Sequence, residues 1–235
     1  MKKKKRVLII GDSLAMPRPD VCYEDTWVYK LIKALPELEF IDKTMRASTS
    51  ERLVTEGGGD NNNPYGADLL EHYMPDIVVM QIGIVDCAPR YIKKGSLENI
   101  ILNRIMPRSM RTVYMDLIKK NRVRDPQKAY VPRHRFRSNL SNYFQRADNH
   151  NVKVIAIMIA PVTSAFIDKS PFANQSIKNY NNIYHDLSRD FGNVDLVYPF
   201  DDVINLEDVT IDGYHINLEG HDIIFRILMK QICPK

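Results

Sequence analysis

Short apolar runs alternate with amphipathic stretches along almost the whole chain. The apolar runs are rich in β-branched residues and predict buried strands at residues 6–10, 38–42, 76–81, 152–159 and 194–198. The intervening stretches predict helices at residues 26–35, 66–73, 96–106, 109–120, 135–149, 177–191 and 218–232. Strands that are apolar almost throughout are typical of a parallel sheet covered on both faces. The pattern therefore predicts a three-layer α/β/α sandwich with a mostly parallel central sheet.

Length and composition narrow the class of protein further. The 235 residues are 44% apolar and 26% charged, which is ordinary for a globular protein and excludes disorder throughout the chain. No internal repeat or break in composition marks a second domain, so residues 1–235 are expected to form one domain. A stretch rich in Gly and Asn at residues 57–64 predicts an exposed loop.

No segment has the pattern of a membrane span or a secretory signal. Apolar runs stay well short of the roughly 18–20 residues that cross a bilayer. The basic residues 2–6 precede a run of apolar residues that is shorter than the about 7–15 of a signal peptide. The three cysteines are widely spaced and predict neither a disulfide framework nor a zinc site. We therefore expect a cytoplasmic protein without a membrane span.

One segment is much more basic than the rest of the chain. Residues 104–137 contain eleven Lys or Arg against Asp116 and Asp125, although the net charge of the whole chain is only +4. Such a stretch on an otherwise acidic body favours an anionic partner over general affinity for nucleic acid. The same charges also fit a solvated helical face followed by a basic loop. We expect a helical and loop excursion that forms a lid, a partner surface or a simple connection between helices.

A serine follows the first predicted strand. Gly11, Asp12, Ser13 and Leu14 come at the carboxyl end of that strand, where open α/β sheets bind their ligands. Backbone N–H groups at such a turn stabilise developing negative charge. A serine hydroxyl becomes a nucleophile only when a base takes its proton, so this hypothesis needs a histidine elsewhere. Without a base, Asp and Ser here are ordinary turn residues.

His215 is the candidate base. Of the six histidines, it alone has a carboxylate three residues earlier, at Asp212. At that separation a turn brings the carboxylate to the imidazole, where it selects the tautomer and stabilises the imidazolium. Because the loop follows the last strand, His215 is expected at the same sheet edge as Ser13. His221, in the next predicted helix, is expected to be a packing or capping residue.

Together these residues resemble the SGNH, or GDSL-type, hydrolases. The two motifs are Gly-Asp-Ser-Leu at residues 11–14 and Asp-Gly-Tyr-His at residues 212–215, and they span nearly the whole chain. The resemblance implies a flavodoxin-like three-layer fold in which Ser13 attacks an ester carbonyl. It also implies that His215 is the base and that Asp212 orients it. No glycine-rich nucleotide motif and no metal-binding pattern of His and Cys occurs, so no cofactor or metal is expected.

The chain departs from the family pattern at the oxyanion hole. The family combines the N–H of the nucleophile, a glycine N–H after the second strand and an asparagine after the third. Ala47 stands near the place of that glycine, and its N–H is kept if its φ is negative. Gly83 and Asp86 follow the third strand, but Val85 replaces the asparagine. Loss of one such donor typically costs about 10²–10³ in rate.

Several groups can replace the missing amide. A loop N–H or the guanidinium of Arg46 or Arg90 is a candidate donor. Asp12, beside Ser13, is also expected to contact the oxyanion or the substrate. Arg90 fits a carboxylate or sugar contact as well as a surface salt bridge. The run at residues 83–90 also resembles a subgroup associated with bacterial surface-polysaccharide gene clusters.

The sequence supports three hypotheses about function. The first is a serine esterase or deacylase that cleaves an O-acyl ester, on a small molecule or a glycan, through a Ser13 acyl-enzyme. An O-acyltransferase uses the same acyl-enzyme and differs only in the acceptor that reaches it. The third is a binding or scaffold protein that has kept the fold without efficient chemistry, for which Val85 is the argument and residues 104–137 are the docking surface.

Overall fold

A computed structural model describes residues 4–54, 69–200 and 204–233. The predicted loop at residues 57–64 and the first part of the predicted helix at residues 66–73 lie outside the described residues. The described part of that helix, residues 69–73, forms turns.

Five strands form one central sheet, and all of them are parallel. They are β1 (Arg6–Gly11), β2 (Glu39–Asp42), β3 (Ile77–Gln81), β4 (Lys153–Ile157) and β5 (Val194–Val197). Their order is β2-β1-β3-β4-β5, so the chain moves outwards from β1 first in one direction and then in the other. The prediction of a mostly parallel sheet is confirmed, and every pairing among the described strands is parallel.

Helices cover both sides of this sheet. The longer ones are α1 (Trp27–Ala34), α4 (Arg108–Asn121), α5 (Arg133–Asn149), α7 (Ala173–Asp190) and α9 (Leu218–Ile232). The single-turn helices are α2 (Ile84–Cys87), α3 (Leu97–Ile100), α6 (Ser164–Ile167) and α8 (Leu206–Val209). Helix α1 packs on α9, and α5 packs on α7. The predicted three-layer α/β/α sandwich is confirmed. Of the described helices, none is long and apolar enough to cross a bilayer.

The core is formed by the apolar strands and the inner faces of the long helices. Val7, Leu8, Ile9 and Ile10 of β1 are fully buried, as the central position of that strand requires. Trp27 at the start of α1 is also fully buried, and its indole N–H donates to Gln81 Oε1 at 3.0 Å. The central strands therefore fix the position of the loops that follow them.

His221 lies in this core rather than at the sheet edge. The side chain is 1% exposed, and its Nδ1 accepts the backbone N–H of Trp27 at 3.2 Å. Burial lowers its pKa to about 4. His221 therefore packs α9 against α1.

The basic segment at residues 104–137 runs from a π-helical turn through α4 into α5. The predicted helix at residues 96–106 divides into α3 and the π-helical stretch Ile101–Ile105. Ile92, Leu102 and Ile118 form a small core of their own beneath this segment. Backbone hydrogen bonds in both directions join Asp125 to Arg90. These bonds bring the loop between α4 and α5 to the carboxyl edge of the sheet.

Candidate active site

Ser13 lies directly beyond β1, in the one-turn 3₁₀ helix Ser13–Ala15. Asp12 caps this turn, because its Oδ1 accepts the N–H of Leu14 at 2.8 Å. The N–H of Asp12 donates to the carbonyl oxygen of Gln81 at 3.1 Å, which ties the turn to β3. The nucleophile candidate is thus held at the carboxyl edge by two rigid strands.

His215 comes to Ser13 from the loop before α9. Its Nε2 lies 3.3 Å from Ser13 Oγ, across 202 residues of sequence. Its Nδ1 lies 2.7 Å from Asp212 Oδ2, and its backbone N–H donates to Asp212 Oδ1 at 2.9 Å. Because a carboxylate only accepts, the proton of the neutral imidazole lies on Nδ1 and the lone pair on Nε2 faces Ser13. The three side chains form one chain of hydrogen bonds.

The turn that holds Asp212 and His215 together depends on Gly213. Its φ is +94°, a backbone conformation that side chains disfavour. A Cβ at this position would lie 2.5 Å from Thr163 Oγ1, and the carbonyl oxygen of Gly213 accepts the N–H of Thr163 at 3.0 Å. The loop after β4 therefore supports the turn from behind.

Burial and charge together favour the neutral form of His215. Burial lowers the pKa of His215 below its ordinary value, and the positive charges of Arg18 and Arg46 lower it further. Asp212 opposes both effects but does not outweigh them. Burial also raises the pKa of Asp212, yet its hydrogen bonds from His215 outweigh this and hold that pKa below the usual range. The arrangement provides a neutral base beside an ionised carboxylate at neutral pH.

Arg18 is a residue of this site that the sequence analysis did not single out. Its guanidinium lies against Nε2 of His215 through Nη2, beside Ser13. Reciprocal backbone hydrogen bonds between Arg18 and Val21 hold the loop in which it lies. The signal in the sequence was a basic residue five positions after the candidate serine, in the same ligand-edge loop.

A cavity of about 510 Å³ opens over Ser13 and His215. This is within the usual size range of small-molecule sites, about 300–1,000 Å³. The lining residues come from the loops after β1, β2, β3 and β4, the loop between α4 and α5, α7 and the loop before α9: Ser13, Arg18, Arg46, Ala47, Ile84, Val85, Cys87, Ala88, Pro89, Arg90, Arg124, Tyr130, Val162, Phe166, Ser170, Ala173, Ile177, Tyr214 and His215.

Four of the expected oxyanion or substrate contacts line this cavity, namely Arg46, Ala47, Val85 and Arg90. We expected the N–H of Ala47 to serve as a donor only if its φ were negative, but the φ of Ala47 is +57°. This residue keeps the left-handed conformation that favours glycine at that position. Among the described residues, neither the N–H of Ala47 nor that of Ser13 donates to another group. Both N–H groups are therefore available to a ligand.

The other three expected contacts, Asp12, Gly83 and Asp86, do not line the cavity. Gly83 precedes α2 with a φ of +131°, and a Cβ there would lie 2.5 Å from Ile159 Cδ1. Asp86 is fully buried, and its Oδ1 accepts both the N–H and the hydroxyl of Ser50, at 2.9 and 2.6 Å. The structure therefore places these three residues outside the cavity lining.

The two buried carboxyl groups share a raised pKa. Burial raises the pKa of Asp12 to about 7, and the nearby Asp86 adds to this. Burial likewise raises the pKa of Asp86 to about 7, against the hydrogen bonds from Ser50. Both groups are therefore partly protonated at neutral pH.

Arg124 and Tyr130 also line the cavity, and both belong to the basic segment at residues 104–137. The guanidinium carbon of Arg124 lies 5.6 Å from the ring centroid of Phe166. That of Arg90 lies 4.1 Å from the ring centroid of Tyr130. One wall of the cavity is thus built from the excursion, and only the tertiary pairing of Arg90 with Asp125 brings it there. No cluster of three metal-ligating side chains occurs in the part of the chain that the structure describes.

Comparisons with solved structures agree with this fold. The chain has the fold of the SGNH hydrolases, with its serine after β1 and its histidine before the last helix. A lipase/acylhydrolase from Enterococcus faecalis is 16% identical with a TM-score of 0.61, covering 98% of this chain and 98% of that one. A GDSL-like lipase from Bacteroides thetaiotaomicron is 17% identical with a TM-score of 0.59, covering 99% and 89%.

A third structure, a catalytic mutant of an acetylxylan esterase from Geobacillus stearothermophilus, is also similar. It is 17% identical with a TM-score of 0.60, and the match covers 99% of this chain and 96% of that one. The sequence matches no protein-family model and no curated protein. At this level of identity the likeness establishes the fold, and the chemistry has to be argued from the site.

Proposed function

We propose that this chain is a serine hydrolase that cleaves an O-acyl ester of a carbohydrate. The observation that carries the proposal is the chain of hydrogen bonds from Asp212 through His215 to Ser13, which ends at a cavity wall. A nucleophile, a base within hydrogen-bonding reach and a carboxylate that orients the base are the parts that acyl transfer requires. Solved structures of lipases and esterases with the same fold support the same class of reaction.

The reaction follows from the positions of these three side chains. Nε2 of His215 takes the hydroxyl proton as Ser13 Oγ attacks the acyl carbon, and the carbonyl oxygen becomes an oxyanion. The tetrahedral intermediate collapses, the bond to the alcohol oxygen breaks, and His215 returns its proton to that oxygen. A water molecule then attacks the acyl-enzyme with His215 again as base, which releases the acid and regenerates Ser13.

The oxyanion is stabilised by two backbone donors at the places of the family pattern and by a third donor that differs from it. The N–H groups of Ser13 and Ala47 are free of other described partners, and both residues line the cavity. The side chain of Val85 offers no donor. The guanidinium of Arg18, which lies beside Ser13 and His215, supplies the third donor in its place. Arg46 and Arg90 are further from this role, because their Nη2 atoms donate to Pro17 and Val85 carbonyl oxygens.

A carbohydrate as the alcohol part fits the aromatic side chains of the cavity. Tyr130, Phe166 and Tyr214 line it, and flat rings of this kind pack against the apolar faces of sugars while hydroxyl groups hydrogen-bond. The acetylxylan esterase named above has the same fold and acts on a glycan by its description. The substrate class is therefore an acylated sugar or glycan.

The test combines a fluorophosphonate probe with hydrolysis of p-nitrophenyl acetate. We expect labelling and turnover in the wild type and loss of both in Ser13→Ala and in His215→Ala, by at least about 10⁴-fold for turnover. Ser188→Ala and His185→Ala are matched controls, because these residues of α7 do not line the cavity, and both should behave as wild type. Acid release that stays constant when methyl glucoside is added distinguishes hydrolysis from transfer.

A folded wild-type protein that takes up no probe would contradict the proposal. The missing asparagine would then outweigh the surviving Ser13, His215 and Asp212, and a binding protein would be the better description.

A further inference from the structure

Four arginines line the cavity, and each comes from a different loop. Arg18 follows β1, Arg46 follows β2, Arg90 follows β3 and α2, and Arg124 lies between α4 and α5. No Asp or Glu side chain lines the same cavity among the described residues. Four loops at the carboxyl edge of the sheet therefore direct positive charge to one space.

None of these guanidinium groups forms an ion pair with a described carboxylate. Arg46 donates to the carbonyl oxygen of Pro17 at 2.9 Å, and Arg90 is stacked on the ring of Tyr130. Arg124 lies over the rings of Tyr91 and Phe166. By contrast, Arg122 and Arg146 elsewhere in the chain pair with Glu98 and Glu71. The arginines of the cavity contact rings, carbonyl groups or His215, and no carboxylate of the described residues pairs with their charge.

Three acidic groups near the cavity, Asp12, Asp86 and Asp212, do not neutralise this charge from within it. Asp12 and Asp86 are buried behind the wall, and their raised pKa values leave them partly protonated at neutral pH. Asp212 lies at Nδ1 of His215, on the side of the ring away from Ser13. Its two carboxylate oxygens accept hydrogen bonds from Nδ1 and from the backbone N–H of His215. The cavity therefore keeps a positive potential, which its partly apolar walls strengthen.

Three polar atoms of the cavity lining are buried without a hydrogen-bond partner in the described structure. They are Nε of Arg18, Nε of Arg90 and the hydroxyl oxygen of Ser170, whose residue is 0% exposed. Buried polar atoms are nearly always paired, and at a cavity wall a bound ligand is one source of the missing partner. Two of these atoms belong to guanidinium groups, for which the matching partner is an anionic oxygen.

We infer that the ester bound in this cavity carries an anionic oxyacid group, a carboxylate or a phosphate, recognised by Arg90 and Arg124 with Arg46 at the rim. This inference rests on the proposed function and specifies its substrate: an acylated sugar acid or sugar phosphate in preference to a neutral acylated sugar. Arg90 and Arg124 belong to the two loops joined at Asp125, so one structural unit presents both groups. Arg18 remains beside Ser13 for the reacting carbonyl.

Turnover of matched esters tests this inference. The probes are the acetyl esters of methyl glucoside, methyl glucuronoside and methyl glucoside 6-phosphate, which share a ring and an acyl group and differ in charge. We expect kcat/KM to be higher for at least one anionic ester by about tenfold or more. The preference should shrink as salt concentration rises, because screening weakens the attraction. Comparing the uronate ester with the phosphate ester identifies which oxyacid is bound. Comparing kcat/KM for p-nitrophenyl hemisuccinate and p-nitrophenyl butyrate tests whether the anionic group belongs to the acyl part instead.

Variants assign the preference to particular residues. Arg90→Gln and Arg124→Gln should each reduce the ratio of anionic to neutral kcat/KM by about tenfold. Arg104→Gln is the matched control, because Arg104 belongs to the same basic segment but does not line the cavity, and its ratio should equal that of the wild type.

A binding measurement that needs no catalysis separates this inference from the proposed function. We expect Ser13→Ala to bind methyl glucuronoside or methyl glucoside 6-phosphate more tightly than methyl glucoside in calorimetric titration. If the wild type fails to react with the fluorophosphonate yet binds the anionic sugar preferentially, the proposed function falls and the anion site stands. If neither turnover nor binding prefers any anionic probe over its neutral counterpart, the anion site is overturned, whether or not Ser13 is reactive.

Discussion

The guanidinium of Arg18 lies against Nε2 of His215, the atom that also lies 3.3 Å from Ser13 Oγ. Two donors therefore compete for one lone pair, and only the hydroxyl of Ser13 gains nucleophilicity from donating to it. When a substrate carbonyl enters, its oxygen offers the guanidinium an alternative partner. Arg18 therefore lowers the pKa of His215, and in the proposed reaction it also stabilises the oxyanion.

The pH dependence of hydrolysis should reflect this contact. His215 acts as base when neutral, and its pKa is lowered, so kcat/KM should fall on acidification with a midpoint below about 6.5, the ordinary value for histidine. Arg18→Gln removes a positive charge and should move the midpoint upwards. Rates for p-nitrophenyl acetate between pH 4.5 and 8 provide the measurement. A midpoint that does not rise would contradict the role of Arg18. Asp12→Asn removes the titration of one nearby buried carboxyl group, and the fall of the rate on acidification should remain.

Arg18 and the missing asparagine should be coupled in a double-mutant cycle. Arg18→Gln should lower kcat by about 10²–10³, the usual cost of losing one oxyanion donor. Val85→Asn places an amide at the cavity wall, where the family pattern has one, and should restore about tenfold of that loss while changing the wild-type rate much less. The measurement is kcat for the wild type, the two single variants and the double variant. Additive effects of the two substitutions would show that positions 18 and 85 do not stabilise the same oxyanion.

Asp86 should make the free energy of unfolding depend on pH. Its folded pKa is about 7 against 3.8 for the free side chain, so folding favours the protonated form. Its contribution to stability is full below about pH 4, declines as the pH rises towards 7 and is lost above. Asp86→Asn keeps an oxygen that accepts from Ser50 but cannot ionise. Urea unfolding at pH 5 and pH 8 should show the variant gaining about 2–3 kcal/mol relative to wild type at the higher pH. An equal difference at both values would mean that the carboxyl ionises without cost.

Gly213→Ala should affect stability and activity together. A Cβ at a φ of +94° is strained and would meet Thr163 Oγ1 at 2.5 Å, so we expect a loss of about 1–3 kcal/mol by thermal or urea unfolding. Because the turn sets the distance between Asp212 and His215, kcat should fall as well. Gly192→Ala is the control: a Cβ there meets nothing within 4 Å, and the effect should stay within about 0.5 kcal/mol. An active and stable Gly213→Ala protein would show that the loop adapts.

The three-layer α/β/α architecture could be predicted from local patterns, because the hydrophobic periods of strands and helices are properties of short segments. The apolar run of β1 is fully buried as its composition requires, and β4 and β5 lie where the pattern placed strands. The meeting of Ser13 with His215 also followed, because parallel strands end at a common edge and both residues come after strand ends. The helix predicted at residues 96–106 failed as one element and divides into α3 and a π-helical turn.

The surroundings of Ser13 and His215 were much harder to predict from the sequence. Asp86 looked like a substrate contact because it belongs to the loop after β3, yet its carboxyl turns inward to Ser50. The φ of Ala47 is positive although the residue is not glycine, and no local pattern in the sequence predicts this conformation. A loop residue points to substrate or to core according to the neighbours that it meets, and those come from distant parts of the chain.

The sequence by itself determined the layers of the fold and the two motifs whose positions at strand ends bring Ser13 and His215 together, because hydrophobic period and strand direction are encoded locally. Only the tertiary structure decided that Arg18, Arg46, Arg90 and Arg124 surround one cavity. Those four residues are spread over more than a hundred positions, and their convergence depends on the strand order and on the bridge between Arg90 and Asp125. The charge of this cavity depends on which loops the fold brings together, and the order of residues along the chain does not reveal that.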